Sequence, residues 1–151
     1  MCLDTRVPDE VAVATVRAAA EAIAPSVDGR PGAAELGALE HVADLIDQAV
    51  PGFIDMIVML LDAYASDVEA GTPFRELPIE GRQQVLRALA SEEGQDARDI
   101  VDALFVFTLG GVYSEWSGYD RASGELRPPA VWDEVGYHGP VDGHPDYRVG
   151  I

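Results

Sequence analysis

Two histidines near the carboxyl terminus are the residues best suited to metal binding. His138 and His144 lie close to Asp142 and Asp146, and imidazole nitrogens with carboxylate oxygens are common ligands of divalent metals. The residues between the histidines, 139–143, contain glycine and proline and predict a loop, not a helix face that would hold two imidazoles together. Histidines in such turns are usually solvated or hydrogen-bonded. A metal-dependent enzyme that uses them is therefore kept as an alternative hypothesis.

Other catalytic constellations are weaker. Ser114 or Ser117 could be combined with His138 and Asp133 into a triad, but a chain of this size contains such a set by chance. The sequence has no Gly-x-Ser-x-Gly turn, the motif that presents a serine nucleophile in many hydrolases. We therefore assign no catalytic residue to this chain.

Cofactor sites find equally little support. The single cysteine, Cys2, excludes a Cys-x-x-Cys-His haem attachment site and an internal disulfide. A dinucleotide site needs a glycine-rich turn between a strand and a helix, whereas Gly110-Gly111 follows a predicted helix. We expect no cofactor and no metal in this chain.

The last part of the chain, residues 112–151, is rich in glycine, proline and aromatic residues and has no helical or strand periodicity. Both tryptophans and four of the five tyrosines lie here. Disordered tails are poor in aromatic residues, so we favour an ordered, irregular segment laid across a surface over a disordered tail. A lone domain has little reason to place so much aromatic area outside its helices. We predict partner binding by Tyr113, Trp116, Tyr119, Trp132, Tyr137 and His138.

Helices must position this segment. Apolar residues at helical spacing predict five helices, over residues 11–23, 33–50, 52–69, from 79 to before Gly94, and 97–109. The third is apolar on all sides, which predicts a central helix that is buried all round. Gly110-Gly111 is expected to end the fifth helix as a C-cap.

The predicted fold class is therefore all-α, a bundle of about five helices with a long, irregular, aromatic-rich C-terminal segment. The predicted organisation is a flexible N-terminus over residues 1–10, a helical domain over residues 11–111, and an extended partner-docking segment over residues 112–151. A chain of 151 residues has room for one core.

The charge of the chain excludes several classes of partner. Its 27 acidic and 10 basic residues give a formal net charge of −17, which repels nucleic acid and anionic membranes. No apolar run of 18 residues is present to span a bilayer, so we expect no direct membrane insertion. Residues 1–10 lack the features of a Sec or twin-arginine signal, so a cytoplasmic location is expected.

Four stretches of sequence carry a family resemblance. They are AAAEAIAPSVDGRPGA near the first predicted helix, GFIDMIVMLLDAY in the third, GTPFRELPIEGRQQVLRAL, and VFTLGGVYSEWSGYD followed by VWDEVGYHGP. In this order, from about Ala18 to Tyr137, the chain resembles the gluconate 2-dehydrogenase subunit 3 family. The most similar features are Phe74 and Leu77 leading into Arg82-Gln83-Gln84, the pair Gly111 and Tyr113, and Trp132 with Gly136-Tyr137 and Gly139-Pro140.

The resemblance implies a small, non-catalytic subunit of an FAD-dependent sugar or alcohol dehydrogenase or oxidase. The FAD would be carried by a large partner subunit of the glucose-methanol-choline (GMC) oxidoreductase type, which this chain would stabilise or mature. Such small subunits often carry a twin-arginine leader that this sequence lacks, so the complex is either cytoplasmic or exported by a signal on the large subunit. A helical homo-oligomeric scaffold is the remaining alternative.

Overall fold

A bundle of helices accounts for most of the chain. The computed structural model describes residues 9–137 except 93 and 121, and of residues 40, 116, 117, 119, 126 and 130 it describes the backbone only. The six helices of the described residues are α1 (Glu10–Ile23), α2 (Leu39–Ala49), α3 (Phe53–Val68), α4 (Ile79–Ala90), α5 (Gln95–Tyr113) and α6 (Ala130–Glu134). The predicted all-α bundle of about five helices is confirmed, with α6 as a short sixth helix.

Between these helices lie shorter elements. Two 3₁₀ turns span Phe74–Glu76 and Glu115–Gly118, and two antiparallel two-residue strands, β1 (Tyr119–Asp120) and β2 (Glu125–Leu126), form a small hairpin. The hairpin and α6 lie in the segment for which the sequence indicated no regular element. Their shortness explains why periodicity did not detect them.

Two helix starts differ from the sequence prediction. Helix α1 begins at Glu10, where the Asp9 carboxylate accepts a hydrogen bond from the Val11 N–H, so the predicted flexible N-terminus overlaps α1 by one residue. The rest of that prediction, residues 1–8, lies outside the described residues. Helix α2 begins at Leu39 and not at residue 33, because Gly37 has a φ of 70° and interrupts the helical path.

The central helix of the bundle is α1. It packs against α2, α3, α4 and α5, and its alanines, among them Ala19 and Ala20, are fully buried. Small side chains on α1 allow four helices to approach it closely. The prediction that α3 is central and buried on every side is therefore wrong. Helix α3 packs against α1, α2 and α4, and its outer face exposes Met56 and Met59.

A network of hydrogen bonds joins α4 to the rest of the core. The Arg82 guanidinium donates to the carbonyl oxygens of Leu77 (2.9 Å) and Arg75 (3.1 Å) and to the Glu21 carboxylate (2.7 Å). The next residue, Gln83, donates to the Ala22 carbonyl oxygen at 3.1 Å. These bonds tie the start of α4 to the end of α1.

The turn before α4 is fixed from α3. Phe74 and Leu77 are buried in the core, and the Phe74 N–H donates to the Asp62 carboxylate at 2.8 Å. Asp62 is a half-buried acceptor that holds the turn in place. The Phe74…Arg82-Gln83 pattern of the family resemblance therefore has a structural role here.

Helix α5 continues past the glycine pair that was expected to end it. It runs to Tyr113, and neither Gly110 nor Gly111 has a positive φ, so the C-cap prediction is wrong. Gly111 is buried where α5 meets α2, and an added Cβ would lie 3.2 Å from Val42 Cγ2. The glycine is required by the close approach of two helices. The predicted domain boundary at 111/112 falls inside α5.

The glycine pair gives a matched test of this packing. Gly110→Ala is expected to raise the free energy of unfolding by about 0.5–1 kcal/mol, since helical glycine costs backbone entropy and an added Cβ at Gly110 would meet nothing within 4 Å. Gly111→Val is expected to lower it by about 1–3 kcal/mol through overpacking against α2. Urea denaturation followed by circular dichroism measures both. Equal effects of the two changes would contradict the close approach.

The described helices were compared with the requirements of a membrane span. None of them is, by itself, both long enough and apolar enough to cross a bilayer. The pair formed by residues 41–49 and α3 passes by length and composition when taken together, but a bend of 117° separates its two parts.

Candidate partner-docking surface

The predicted docking residues fall into three groups. Tyr113, at the end of α5, and Tyr137, after α6, each expose 49% of their surface. Trp132, on α6, is half-buried. Trp116 lies in the second 3₁₀ turn and Tyr119 in β1, both described by their backbone alone, and His138 lies outside the described residues.

Trp132 fixes the C-terminal segment to α5. Its indole Nε1–H donates to the Tyr113 carbonyl oxygen at 2.8 Å, and its ring meets that of Tyr137 edge to face, with centroids 4.9 Å apart. A buried or half-buried indole N–H normally has such a partner. The structure thus brings Tyr113, Trp132 and Tyr137 together, through the backbone of Tyr113 and the ring of Tyr137.

The stretch between α5 and α6 is held by its own contacts. The Arg127 N–H donates to the Gly118 carbonyl oxygen at 2.9 Å, and a Cβ on Gly118 would overlap the carbonyl oxygen of Arg127. In the hairpin turn, the Ser123 hydroxyl and the backbone N–H groups of Ala122 and Ser123 bind the Asp120 carboxylate and lower the pKa of Asp120. Within the described residues, these contacts join short elements into an otherwise irregular segment, and its order remains a prediction.

A second, smaller hydrophobic cluster lies under this segment. It joins α6 and the end of α5 to the turns before α2, through the buried residues Ala33, Leu36, Ala38, Val112 and Val131. One core had been expected from the length of the chain. The small cluster gives the C-terminal segment a packing surface of its own.

An apolar cleft opens beside this cluster. Its volume is about 440 Å³, within the range typical of ligand-binding pockets. One wall is the loop after α1, the floor is the end of α5 with Leu109 and Tyr113, and the other wall is α6 with Val131 and Val135. The cleft is lined mainly by apolar groups and is formed without any partner.

The loop wall is rigidly built. Asp28 and Gly29 both have positive φ, 51° and 79°, as in the tight turns favoured by Asp-Gly, and Val27 and Arg30 form a bridge across them. The Gly32 N–H donates to the Glu35 carboxylate at 2.9 Å. A Cβ on Gly32 would lie 2.5–2.7 Å from three backbone atoms of residues 24–26, so only glycine fits there.

The same loop perturbs one carboxyl group. The Ser26 hydroxyl and the Gly32 N–H both donate to Glu35, and these two hydrogen bonds lower the pKa of the Glu35 carboxyl. The ionised form of Glu35 therefore supports the loop conformation. This support is present above the ordinary pKa and is lost as the pH falls through the lowered value.

An exposed apolar strip continues from the cleft along α5. Phe105, Val106, Leu109 and Tyr113 are all at least 42% exposed although they lie on a helix. Phe105 also lines a second groove, of about 240 Å³, between α1 and α4. We call this set of four residues the α5 strip. One apolar face of α5 is buried in the core, and the spacing of four residues from Phe105 through Leu109 to Tyr113 defines a second.

The sequence did not predict the α5 strip, nor that Arg30 lines the cleft. Burial of Ile100, Val101, Leu104 and Thr108 satisfies the core, so the additional apolar residues of α5 were surplus to it. That surplus was a usable signal. Arg30 carried no comparable signal, because its position depends on the fold of the loop.

The described residues do not form a metal site or a catalytic triad that would support the enzyme alternatives. Among these residues, no group of three or more His, Cys, Asp or Glu side chains is placed to bind a metal. His138 and His144, with Asp142 and Asp146, lie outside them. The Ser114 hydroxyl donates to the Gly111 carbonyl oxygen at 3.2 Å, which is an ordinary helix-end contact.

A preformed apolar cleft next to an exposed apolar strip is typical of a protein that works bound to another chain. The family model for gluconate 2-dehydrogenase subunit 3 matches residues 10–139, most of the chain, and the chain belongs to this family. The family is a subunit of a multi-subunit dehydrogenase, which implies a partner. No curated protein and no solved structure matches the chain.

Proposed function

We propose that this chain is the small, non-catalytic subunit of an FAD-dependent dehydrogenase or oxidase that acts on a sugar or alcohol. The partner is a large GMC-type subunit that carries the FAD, and this chain stabilises or matures it. The observation that supports the proposal is the α5 strip beside the cleft. Together they leave apolar surface exposed to water on a chain whose core is already complete.

Such a subunit acts by binding, which shifts the folding equilibrium of its partner towards the folded form. A protein that binds only the folded form of its partner stabilises that form in proportion to the logarithm of its concentration relative to Kd. Hydride transfer from the substrate to FAD takes place in the large subunit. Residues of this chain hold the docking surface, with Trp132 and Gly32 fixing its two sides. We propose a cytoplasmic complex, with export by a signal on the large subunit as the alternative.

The test is co-expression of this chain with the products of its neighbouring genes, followed by purification through a tag on this chain. The wild type is expected to yield a yellow complex with a flavin absorption spectrum and a large second chain. Leu109→Glu is expected to recover at least about tenfold less flavoprotein, because a charge placed in the α5 strip must be desolvated on docking. Its melting temperature should stay close to that of the wild type, since Leu109 is 43% exposed.

Met59→Glu is the matched control. Met59 is 67% exposed on α3, which contributes no residue to the cleft or the α5 strip, so the same change of charge should leave recovery of the flavoprotein unaltered. A colourless chain that remains folded and alone would contradict the proposal. A colourless assembly of several 16.1 kDa chains would favour the homo-oligomeric scaffold, and stoichiometric zinc or manganese lost on replacing His138 and His144 would favour the metal enzyme.

A further inference from the structure

Two opposite charges face the apolar cleft from its two walls. Arg30 projects from the loop after α1, and Glu134 lies on α6. Within the described part of the chain, neither side chain makes a hydrogen bond or an ion pair, whereas Arg75, Arg82 and Arg127 each pair with a carboxylate. Among the described residues, the cleft therefore carries one charge of each sign that has no counter-charge, and the two do not pair with each other.

The surroundings of the cleft fit a polypeptide better than a small molecule. The apolar surface does not end at the cleft but continues along α5 to Phe105, eight residues before Tyr113. At 1.5 Å per residue this adds about 12 Å of exposed helix. A small molecule would fill the cleft and leave the strip uncovered, whereas a segment of protein covers both.

The charges also define a direction. A segment that crosses from the loop wall to the α6 wall meets a guanidinium at one end and a carboxylate at the other. Charged groups at the rim of an interface contribute more to orientation and specificity than to affinity. The cleft can thus distinguish the two orientations in which an extended chain could lie.

We propose that the cleft binds an extended segment of the flavoprotein subunit that has an apolar side chain at its centre, a carboxylate at the end near Arg30 and a basic side chain at the end near Glu134. This proposal rests on the proposed function and names the chemistry of the partner surface. The apolar side chain is inserted against Leu109 and Val131. The two charges fix the register and direction of the segment.

The test is a charge swap in the purified complex. Arg30→Glu and Glu134→Arg are each expected to weaken the complex roughly three- to tenfold, because each replaces an attraction across the interface with a repulsion. In the double variant the losses are expected to multiply, to roughly ten- to hundredfold, since the partner's charges are unchanged. Kd is measured by dilution of each complex and mass photometry.

Glu69→Arg is the matched control for the swap. It makes the same change of net charge as Glu134→Arg but lies at the end of α3, outside the lining of the cleft, and should leave Kd within about twofold. Recovery of wild-type affinity in the double variant would mean that Arg30 and Glu134 pair with each other, and would overturn the proposal. Unchanged Kd in both single variants would also overturn it.

A cross-link identifies the segment itself. In a Cys2→Ser background, Val135→Cys labelled with a benzophenone maleimide places a photoreactive group at the cleft, because Val135 lines it and is 55% exposed. The expected product joins it to a flavoprotein segment with an apolar residue between an acidic and a basic one. A complex that forms without this product, or with a product to a segment lacking those charges, overturns the proposal alone. If no flavoprotein complex forms, both the proposed function and the proposal for the cleft are contradicted.

Discussion

Phe74→Ala is expected to lower the free energy of unfolding by about 3–5 kcal/mol, the usual cost of truncating a buried phenylalanine. Phe74 is fully buried, and its backbone N–H is held by Asp62, so the turn is not free to move into the cavity left by the ring. Since the free energy of unfolding of a small domain is only about 5–15 kcal/mol, this change removes a large part of it. Urea denaturation followed by circular dichroism measures it.

Met59→Ala provides the control for Phe74→Ala. It removes a long apolar side chain that is 67% exposed, and we expect a change within about 0.5 kcal/mol. If Phe74→Ala cost no more than this surface change, the assignment of Phe74 to the core would be contradicted. Should Phe74→Ala fail to fold, Phe74→Leu keeps most of the volume and measures the same site at a smaller cost.

Arg82→Ala is expected to lower the free energy of unfolding by about 2–4 kcal/mol. The guanidinium serves two backbone carbonyl oxygens and the Glu21 carboxylate, and its removal leaves these acceptors without their donor. The Arg82 side chain is only 16% exposed, so water replaces the lost bonds poorly. Thermal and urea denaturation measure the loss.

Two variants separate geometry from charge at this site. Arg82→Lys retains the positive charge but lacks the planar fork of donors, and is expected to lose about half as much as Arg82→Ala. Arg75→Ala breaks the more exposed pair with Glu76 and should change stability by at most about 1 kcal/mol. Equal losses for Arg82→Ala and Arg75→Ala would mean that the α1–α4 link contributes no more than a surface ion pair.

Helical periodicity predicted the five long helices because each buries an apolar face at regular spacing. The prediction of which helix is central was wrong, because it relied on the number of large apolar side chains in each helix. The long side chains of α3 favoured a central position, yet the alanines of α1 permit the closest packing. The same limit applies to Gly111, whose role depends on Val42 of another helix.

The docking surface was only partly accessible from sequence. The aromatic composition of the C-terminal segment singled out Tyr113, Trp132 and Tyr137, and these three residues do lie together. The cleft itself depends on Arg30 and Glu134, which are far apart in the chain and come together only through tertiary packing. No local pattern carries such information, so it could be obtained only from the fold.

The arrangement of the cleft walls has a consequence for biosynthesis. One wall comes from residues 24–36 and the other from residues 131–135, so α1 to α5 all leave the ribosome before the cleft can close. At roughly 5–20 residues per second, about 100 residues of delay correspond to roughly 5–20 s between the synthesis of the two walls. A nascent chain that has not yet produced α6 lacks the complete cleft, so recruitment of the partner through the cleft must wait until α6 has been synthesised.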